Sequence, residues 1–492
     1  MEVEAKVARS NPEEGGDERA EKGATRRFPK IPLIFLGLGL YRAWIEIAYV
    51  GSFLDFPIQS VAARDVFDVT AVVVWFAVAL FARRLVSLSN RRWVFAVAGT
   101  LLALSTAANF ASLQYPELMA PFAFVVSAAA GIGIALLILL WSEFYGCVNP
   151  MRVALYYSAS ILLGAAIVYL YKGFVPEYLA GMTIVLPLLS AWMAYKSFRE
   201  LPAESLPKPP TSQFLFPWKP VLLMAVYSFA YGLKESSLYV FTGPHSSLGV
   251  IIAAIVVLVG VVWQGKKFDF GVMYRFGLPF MVGAFLLVPA LGFPSEQVAG
   301  FCATLSYTAF SILIMIVLSN MVYRYGMNAL WLFGIERAVR QLFMFGGREA
   351  ESLVERMTPV FPQGEVLINV VIVLLVIATT MILLSEKDLM SRWGIGKQKP
   401  LRGNSPDGGS APDHPALGSV CADMAKHYAL SMRESEVLLL LAQKKSIAEI
   451  EKDLFIANGT AKAHVRHIYQ KLDIHSREEL FDLVEKTKEG SA

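Results

Sequence analysis

Two sets of residues in this sequence have the types and spacing to do chemistry. The first is basic. Between Thr460 and Arg477, four cations (Lys462, Arg466, Lys471 and Arg477) and three histidines (His464, His467 and His475) stand against a single acid, Asp473. Contacts to backbone phosphates need positive charge on one face, and a helix is narrow enough to enter a major groove and present side chains to base edges. The second set consists of charges inside hydrophobic runs: Arg42 and Glu46, Asp65 and Asp68, Glu143, Lys234 and Glu235, and Glu336, Arg337 and Arg340. Charges there are costly, so they face a cavity or one another. Arg42 and Glu46 stand four apart, on one helix face. A cation beside a carboxylate, repeated at Lys234 and Glu235, is what a site for a small polar or anionic molecule would need, with Glu143 and Arg340 as further candidates. The structural alternative is that these charges pair across helices and fix packing, or snorkel to the interface. Tyr41, Trp44, Tyr227 and Tyr231 could flank an aromatic ligand, although aromatic residues are common on any membrane helix.

The elements that must position these residues follow from composition. The chain has 492 residues, 55% hydrophobic and only 17% charged, with a mean hydropathy of +0.51, which is too apolar for a soluble chain and indicates a membrane protein. Gly and Pro contents are ordinary and there are three cysteines, which excludes a disordered scaffold, a collagen-like fibre and a disulfide-stapled module. Cys147, Cys302 and Cys421 are too far apart for a metal-ligand spacing, so all three read as free thiols, the first two within hydrophobic runs. A bilayer core needs about 20 apolar residues per helix. By that ruler twelve candidates begin near Ile31, Val66, Trp93, Leu118, Val153, Tyr178, Pro220, Ser247, Val272, Val298, Asn328 and Val366. The expected division is a disordered cytoplasmic tail over 1–30, six spans over 31–197, a polar cytoplasmic loop over 198–218, and six more spans over 219–385.

Orientation follows from the cationic loops. Arg26, Arg27 and Lys30, then Arg83, Arg84, Arg91 and Arg92, then Arg152, Lys196, Arg199, Lys208 and Lys219, and finally Lys266, Lys267 and Arg324 fall on alternate connections, which puts both termini inside. The connection from Arg348 to Glu365 lies outside, and its spacing predicts a short amphipathic helix lying on the surface. A cleavable signal peptide would not tolerate Arg42 and Glu46 in its apolar run. No phosphate-cradling Gly-rich loop, metal-binding histidine pair or nucleophile elbow appears, so neither an enzyme nor a cofactor is expected.

After a Gly-, Pro-, Ser- and Asp-rich linker (386–421), a domain over 422–489 opens three helices with capping boxes, at Ser431 and Glu434, Ser446 and Glu449, and Ser476 and Glu479. Val437, Leu438, Leu440 and Leu441 form the first buried stripe, Ile447, Ile450 and Leu454 the second, Val465, Ile468, Tyr469 and Leu472 the third, and Leu480, Phe481 and Val484 a fourth. The short turn over 455–459 sets two helices steeply across each other, as in a helix-turn-helix.

The run from Leu430 to Leu480 resembles the DNA-binding domain of LuxR-type transcriptional regulators, through Leu430, Arg433, Glu434, Glu436, Val437, Leu438, Ala442, Ser446, Glu449, Ile450, Leu454, Ile456, Thr460, Lys462, His464, Ile468, Lys471, Leu472, Ser476 and Arg477. The resemblance implies that Thr460, Lys462, His464 and Lys471 touch DNA, mainly phosphates, with Gly459, Ala463 and Arg466 nearest the bases. Arg433 and Glu434 read as structural, bracing the reading helix, and His467 and His475 either contribute or are solvated. The chain departs from the family at Glu451 (Ala), Lys444 (Gly), Ala457 (the reader's N-cap Ser) and Ala461 (Val). The twelve-helix block, in two sets of six with a long central loop, resembles the major facilitator superfamily of transporters in architecture, without that family's glycine-and-aspartate loop pattern. The fold expected is therefore all-α: a polytopic membrane block with a four-helix DNA-binding domain. The function expected is a one-component regulator in the bacterial inner membrane. Its membrane block senses a small molecule and its head binds promoter DNA, on a palindromic site as a homodimer. The alternatives are a transporter carrying a regulatory DNA-binding domain, and an anchor that senses a protein partner or the bilayer.

Overall fold

The computed structural model describes residues 31–50, 53–201, 206, 216–235, 245–264, 268, 270–287, 295–361, 363–383, 420–421, 423–425, 427–428, 430, 432–447, 449–450 and 458–490. The expected tail (1–30), most of the loop (198–218) and the linker up to 419 lie outside the described residues, as do Ser431, Glu451, Leu454, Ile456 and Ala457. Every regular element among the described residues is helical.

Twelve helices of eight or more residues cover the hydrophobic block among those residues: α1 Leu38–Ile45, α2 Val61–Leu85, α3 Arg92–Gln114, α4 Ala123–Gly146, α5 Pro150–Tyr171, α6 Pro176–Glu200, α7 Trp218–Gly232, α8 Leu248–Gln264, α9 Gly271–Val282, α10 Ser295–Tyr325, α11 Ala329–Met357 and α12 Gly364–Leu383. Seven helical stretches are long and apolar enough to cross a membrane: Leu33–Val50, Arg92–Gln114, Pro116–Gly146, Pro150–Tyr171, Pro176–Glu200, Gln297–Tyr323 and Val366–Leu383. The twelve expected spans therefore coincide with helices, but five lack the length or composition to qualify. α2 is not among the seven stretches, α11 carries too many charges, α7 is only 15 residues long, and α8 and α9 are short apolar helices.

Polar side chains fix the first helix. Ser190 Oγ donates to Gly37 O at 2.8 Å and accepts from Trp141 Nε1 at 3.1 Å, and Ser197 Oγ donates to Ile34 O at 3.0 Å. On its other side α1 meets α5 backbone to backbone, since a Cβ at Gly164 would stand 2.8 Å from Gly39 O. Only glycine permits that approach. A π turn, Glu46–Val50, follows α1, and Asn109 Nδ2 donates to its Ala48 O at 3.0 Å.

The expected surface helix over Arg348–Glu365 is not a separate element. α11 runs unbroken through Met357 and stops at Thr358, before Pro359. Residues 348–357 are mostly good helix formers; Thr358 keeps helical angles and its N–H bonds Val354 O at 2.9 Å, but Pro359 has no N–H to carry the ladder on. α11 packs against α2 along its length. Asn328, the N-cap of α11, accepts from Trp331 N at 2.9 Å and donates to Ala82 O at 3.2 Å. At the far end Gln341 and Arg348 reach Asp65 and Asp68.

The C-terminal domain comprises α13 Met432–Ala442, α14 Asn458–Leu472 and α15 Arg477–Gly490, with further helical residues at 420–421, 423–425, 427, 447 and 449–450. Its core holds Val437, Leu438, Leu440, Leu441, Ile450, Ala461, Ile468, Leu472, Leu480 and Val484, and begins with Val420, Cys421 and Met424. The domain thus starts at least two residues ahead of 422, and the third cysteine is buried like the other two. Ile447, Val465, Tyr469 and Phe481 are half-buried at its edge.

Two helix ends explain the local sequence. Lys445 N–H bonds Leu440 O at 3.1 Å and Lys444 N–H bonds Leu441 O at 2.9 Å, a Schellman closure in which Lys444 takes a φ of 64°. That is the left-handed region where glycine is preferred. Asp473, at φ 55°, closes α14 in the same way, with Ile474 N–H on Tyr469 O at 3.0 Å. Ser446 and Glu449 form a reciprocal capping box, Ser446 N–H to Glu449 Oε2 at 2.8 Å and Glu449 N–H to Ser446 Oγ at 3.3 Å. At Ser476 the box is shifted, because Glu479 Oε2 takes the N–H of His475 instead.

Candidate DNA interface and membrane charge sites

α14 begins at Asn458, so the missing N-cap serine at Ala457 leaves a 15-residue helix in place. Lys462 and Arg466, one turn apart, are exposed on a shared face, and His467 is exposed beside them. Ala463 and His464 are half-buried, and Ala461, where the family carries valine, is fully buried against the core. An open groove of about 520 Å³ runs along this face, between Lys462, Arg466 and Gln470 on one wall and Ile447 and His475 on the other. Gly459 and Thr460 lie in the first turn of α14; their side chains, and that of Arg433, fall outside the described residues.

The two remaining cations of the segment are held within the domain. Lys471 Nζ donates to Glu434 Oε2 at 2.7 Å, so α13 braces α14 as expected for Glu434. Arg477 Nη2 donates to Lys445 O at 2.6 Å, and its guanidinium lies over Phe481 at 5.5 Å, as does the Lys444 ammonium. The exposed positive charge on this face of α14 is thus centred on Lys462 and Arg466.

In the membrane block the structure separates residues that their spacing groups together. Glu46 is fully buried and opens the π turn, with its N–H still on Arg42 O, but its carboxylate makes no ion pair with the Arg42 guanidinium among the described residues. It accepts from His245 N at 2.7 Å and from the Ser246 hydroxyl. Glu235 lies beyond the end of α7, within 3.4 Å of Arg64 and 3.8 Å of Arg348. Lys234 places its ammonium over the Phe285 ring at 5.6 Å. Glu143 is buried away from these groups, where its Oε2 accepts from the amides of Leu88 and Ser89 at 3.2 and 3.3 Å and pins the loop between α2 and α3.

Two charge clusters result. In the first, Arg348 bonds Asp65 at 2.8 Å and Asp68 at 2.9 Å, Arg64 reaches Asp68 and Glu235 at 3.4 Å, and Gln341 donates to Asp68 at 3.0 Å. Arg64 and Arg348 are not among the site candidates that the sequence suggests; the four-residue spacing of Arg64 and Asp68 is the signal that could have found the first. In the second cluster, Arg340 donates to Glu336 at 2.7 Å and to Ser311 at 2.9 Å and lies 6.0 Å over the Tyr307 ring, while Arg337 stands 3.4 Å from Glu336. Arg42 belongs here, since the Tyr41 and Tyr157 hydroxyls both lie in the fields of Arg42 and Arg337. Tyr231 stacks on Tyr307 at 4.3 Å. Trp44 and Tyr227 are instead fully buried and committed to packing, through hydrogen bonds to Thr106 at 2.7 Å and Thr380 at 3.0 Å. Among the described residues no group of three or more His, Cys, Asp and Glu could hold a metal ion.

Comparison with known proteins bears on the C-terminal domain. Residues 428–484 match the bacterial regulatory proteins of the luxR family. The transcriptional regulatory protein LiaR of Bacillus subtilis is 43% identical over 51 residues, 10% of this chain and 24% of that protein. The oxygen regulatory protein NreC of Staphylococcus carnosus is 42% identical over 59 residues, 12% and 27% respectively. The chain thus spans about a quarter of the length of these relatives. Among solved structures, a bacterial homologue of the iron transporter ferroportin in an outward-facing state is 13% identical at a TM-score of 0.47, over 71% of this chain and 97% of that one. The Major Facilitator Superfamily transporter FucP is 13% identical at a TM-score of 0.45, over 72% and 99%. Residues 428–484 are a luxR-family helix-turn-helix domain, carried on one chain with a helical membrane block.

Proposed function

We propose that this protein is a membrane-anchored transcriptional regulator, whose C-terminal domain binds promoter DNA and whose membrane block senses a small molecule. One observation carries the reading: a luxR-family domain with an exposed cationic reading face shares a chain with a block of membrane-length helices, and no receiver-like domain is visible in the sequence to supply a phosphorylation input. Sensing falls to the membrane block. The arrangement is twelve helices in two facilitator-like halves with both termini in the cytoplasm of a bacterial cell, which the alternating cationic loops support. One copy of a nearly charge-balanced head binds DNA weakly, so the domain acts as a homodimer on a palindromic site. Ligand binding shifts the relation of the two halves, and the linker passes that shift to the head. A ligand can do so only by binding one state better than the other.

The test is a genome-wide map of DNA crosslinked to the full-length protein in its own cells, beside a version lacking 416–492. Discrete peaks that vanish with the truncation are the expected result. The absence of peaks in every growth condition would instead favour a transporter with a regulatory head. Arg42→Gln is expected to abolish the change in occupancy with inducer while leaving basal occupancy intact.

A further inference from the structure

Between Phe35 and Val50 every residue is buried except Tyr41 and Arg42, which are half-buried in the middle of α1. Along α10, every residue from Cys302 to Met321 is buried except Tyr307. In α11 the Arg337 side chain retains 12% exposure between the buried Glu336 and Ala338. In α1 and α10 burial is thus interrupted at one locus each, and both loci lie in the field of Arg337. The Tyr41 hydroxyl lies in the fields of Arg42, Arg337, Tyr157 and Tyr307, and Tyr157 in those of Arg42, Arg337 and Arg340, against Ser311. Tyr231 of α7 stacks on Tyr307 from the far side. Helices α1, α5, α10 and α11 thus bring three phenols and three guanidiniums to one place.

The charges of this place are unbalanced. Glu336 is its one carboxylate on α11, and it is already shared by Arg340 at 2.7 Å and Arg337 at 3.4 Å. Glu46, which lies in the field of Arg42, accepts only from the neutral His245 amide and Ser246 hydroxyl, so three guanidiniums share two carboxylates. Arg42 makes no ion pair among the described residues, and its Nε is buried without a hydrogen-bond partner; Arg337 Nε makes no hydrogen bond, only the 3.4 Å ion pair with Glu336 Oε2. A buried guanidinium donor left unmade is costly, and its planar fork matches a carboxylate. The surrounding rings favour a flat apolar body.

Resting on the reading of the membrane block as a small-molecule sensor, the geometry points to an internal site for a small aromatic monocarboxylate, its carboxylate between Arg42 and Arg337 and its ring among Tyr41, Tyr157 and Tyr307. Arg340, neutralised by Glu336, holds the floor of the site through Ser311 and Tyr307.

The experiment is equilibrium binding to the full-length protein in lipid nanodiscs, with 4-hydroxybenzoate, benzoate, cyclohexanecarboxylate and benzyl alcohol as probes. Saturable binding of the two aromatic acids is expected, several-fold weaker for cyclohexanecarboxylate and at least tenfold weaker for neutral benzyl alcohol. Arg42→Gln and Arg337→Gln are each expected to weaken 4-hydroxybenzoate binding at least tenfold, and Arg152→Gln, an exposed cation elsewhere, to leave it unchanged. No saturable binding of either aromatic acid at millimolar concentration would overturn the assignment, as would benzyl alcohol binding as tightly as the acids. If the arginine variants fail to fold, the probe ranking on the unaltered protein decides alone. Binding without any change in promoter occupancy would refute the sensor reading and leave this site standing; occupancy that responds to an inducer without carboxylate binding would do the reverse.

Discussion

At the scale of single residues, the cations of the reading segment divide into two kinds with separable consequences. Lys462→Ala and Arg466→Ala are expected to weaken DNA binding and lower the salt slope by about 0.9 for each phosphate no longer neutralised, with folding stability unchanged to within about 0.5 kcal/mol. Lys471→Ala is expected to lower stability as well, by up to about 1 kcal/mol, because it strips the Glu434 carboxylate of its partner. Urea melts beside salt-dependent binding isotherms separate the two, and equal stability losses in all three variants would contradict the division. Lys444 carries a strain of its own. Its left-handed φ of 64° costs about 1–2 kcal/mol for a side-chain-bearing residue, against about 0.5–1 kcal/mol gained over the Phe481 ring. Lys444→Gly should therefore stabilise the domain by about 0.5–1 kcal/mol, read as a rise in Tm. The reading face is legible in the sequence because helix periodicity and charge are local properties. The engagement of Lys471 and Arg477 is not, because it depends on which helix crosses behind α14.

At the scale of elements, the head is closed by caps and by a core that reaches back into the linker. Val420 is 4% exposed and Cys421 3%, and burial pushes the Cys421 thiol up to about 11, so it stays protonated and unreactive at neutral pH. A fragment starting at residue 422 loses two core side chains and should be less stable than one starting at 416 by about 2–4 kcal/mol, measured by urea unfolding. Glu449 behaves differently. Hydrogen bonds from the Ser446 amide and hydroxyl hold its carboxyl below the usual range, so its contribution is present above the unfolded carboxylate pKa and lost as pH falls through the folded value. Glu449→Gln should therefore differ in stability from the parent at pH 7 and converge with it in strong acid; a constant difference across the titration would contradict the cap. The boxes at Ser446 and Ser476 can be read from spacing alone. The extension of the core to Val420 cannot, since the linker composition around it carries no helical period. In the membrane block, the spacing over 348–357 fits a separate surface helix as well as a continued α11, and only packing on α2 distinguishes them.

At the scale of the whole molecule, α2 and α11 are fastened at both ends, by Asn328 on Ala82 O at one and by Arg348 and Gln341 on Asp65 and Asp68 at the other. Under the proposed sensing, we expect the shift between the halves to keep this seam. A disulfide between cysteines introduced at positions 79 and 334, where a Cβ on Gly334 would stand 3.0 Å from Ala79 Cβ, is therefore expected to leave the inducer response intact, whereas Arg348→Gln, which removes the charge fastening from Asp68, is expected to alter it; promoter occupancy under oxidising and reducing conditions reads both. The sequence shows charges in α2 and α11 but not their pairing, because partners 283 residues apart leave no local pattern. α11 is also a single rod of 29 residues. It is ~43 Å long at 1.5 Å per residue, enough to reach from one face of a bilayer to the other. A tilt of about 5° about its midpoint carries each end through ~2 Å by lever arithmetic on that length, in opposite directions. Displacement at the Arg348 end thus arrives at the Asn328 end as mechanical travel, with no relay of rearranging side chains between them.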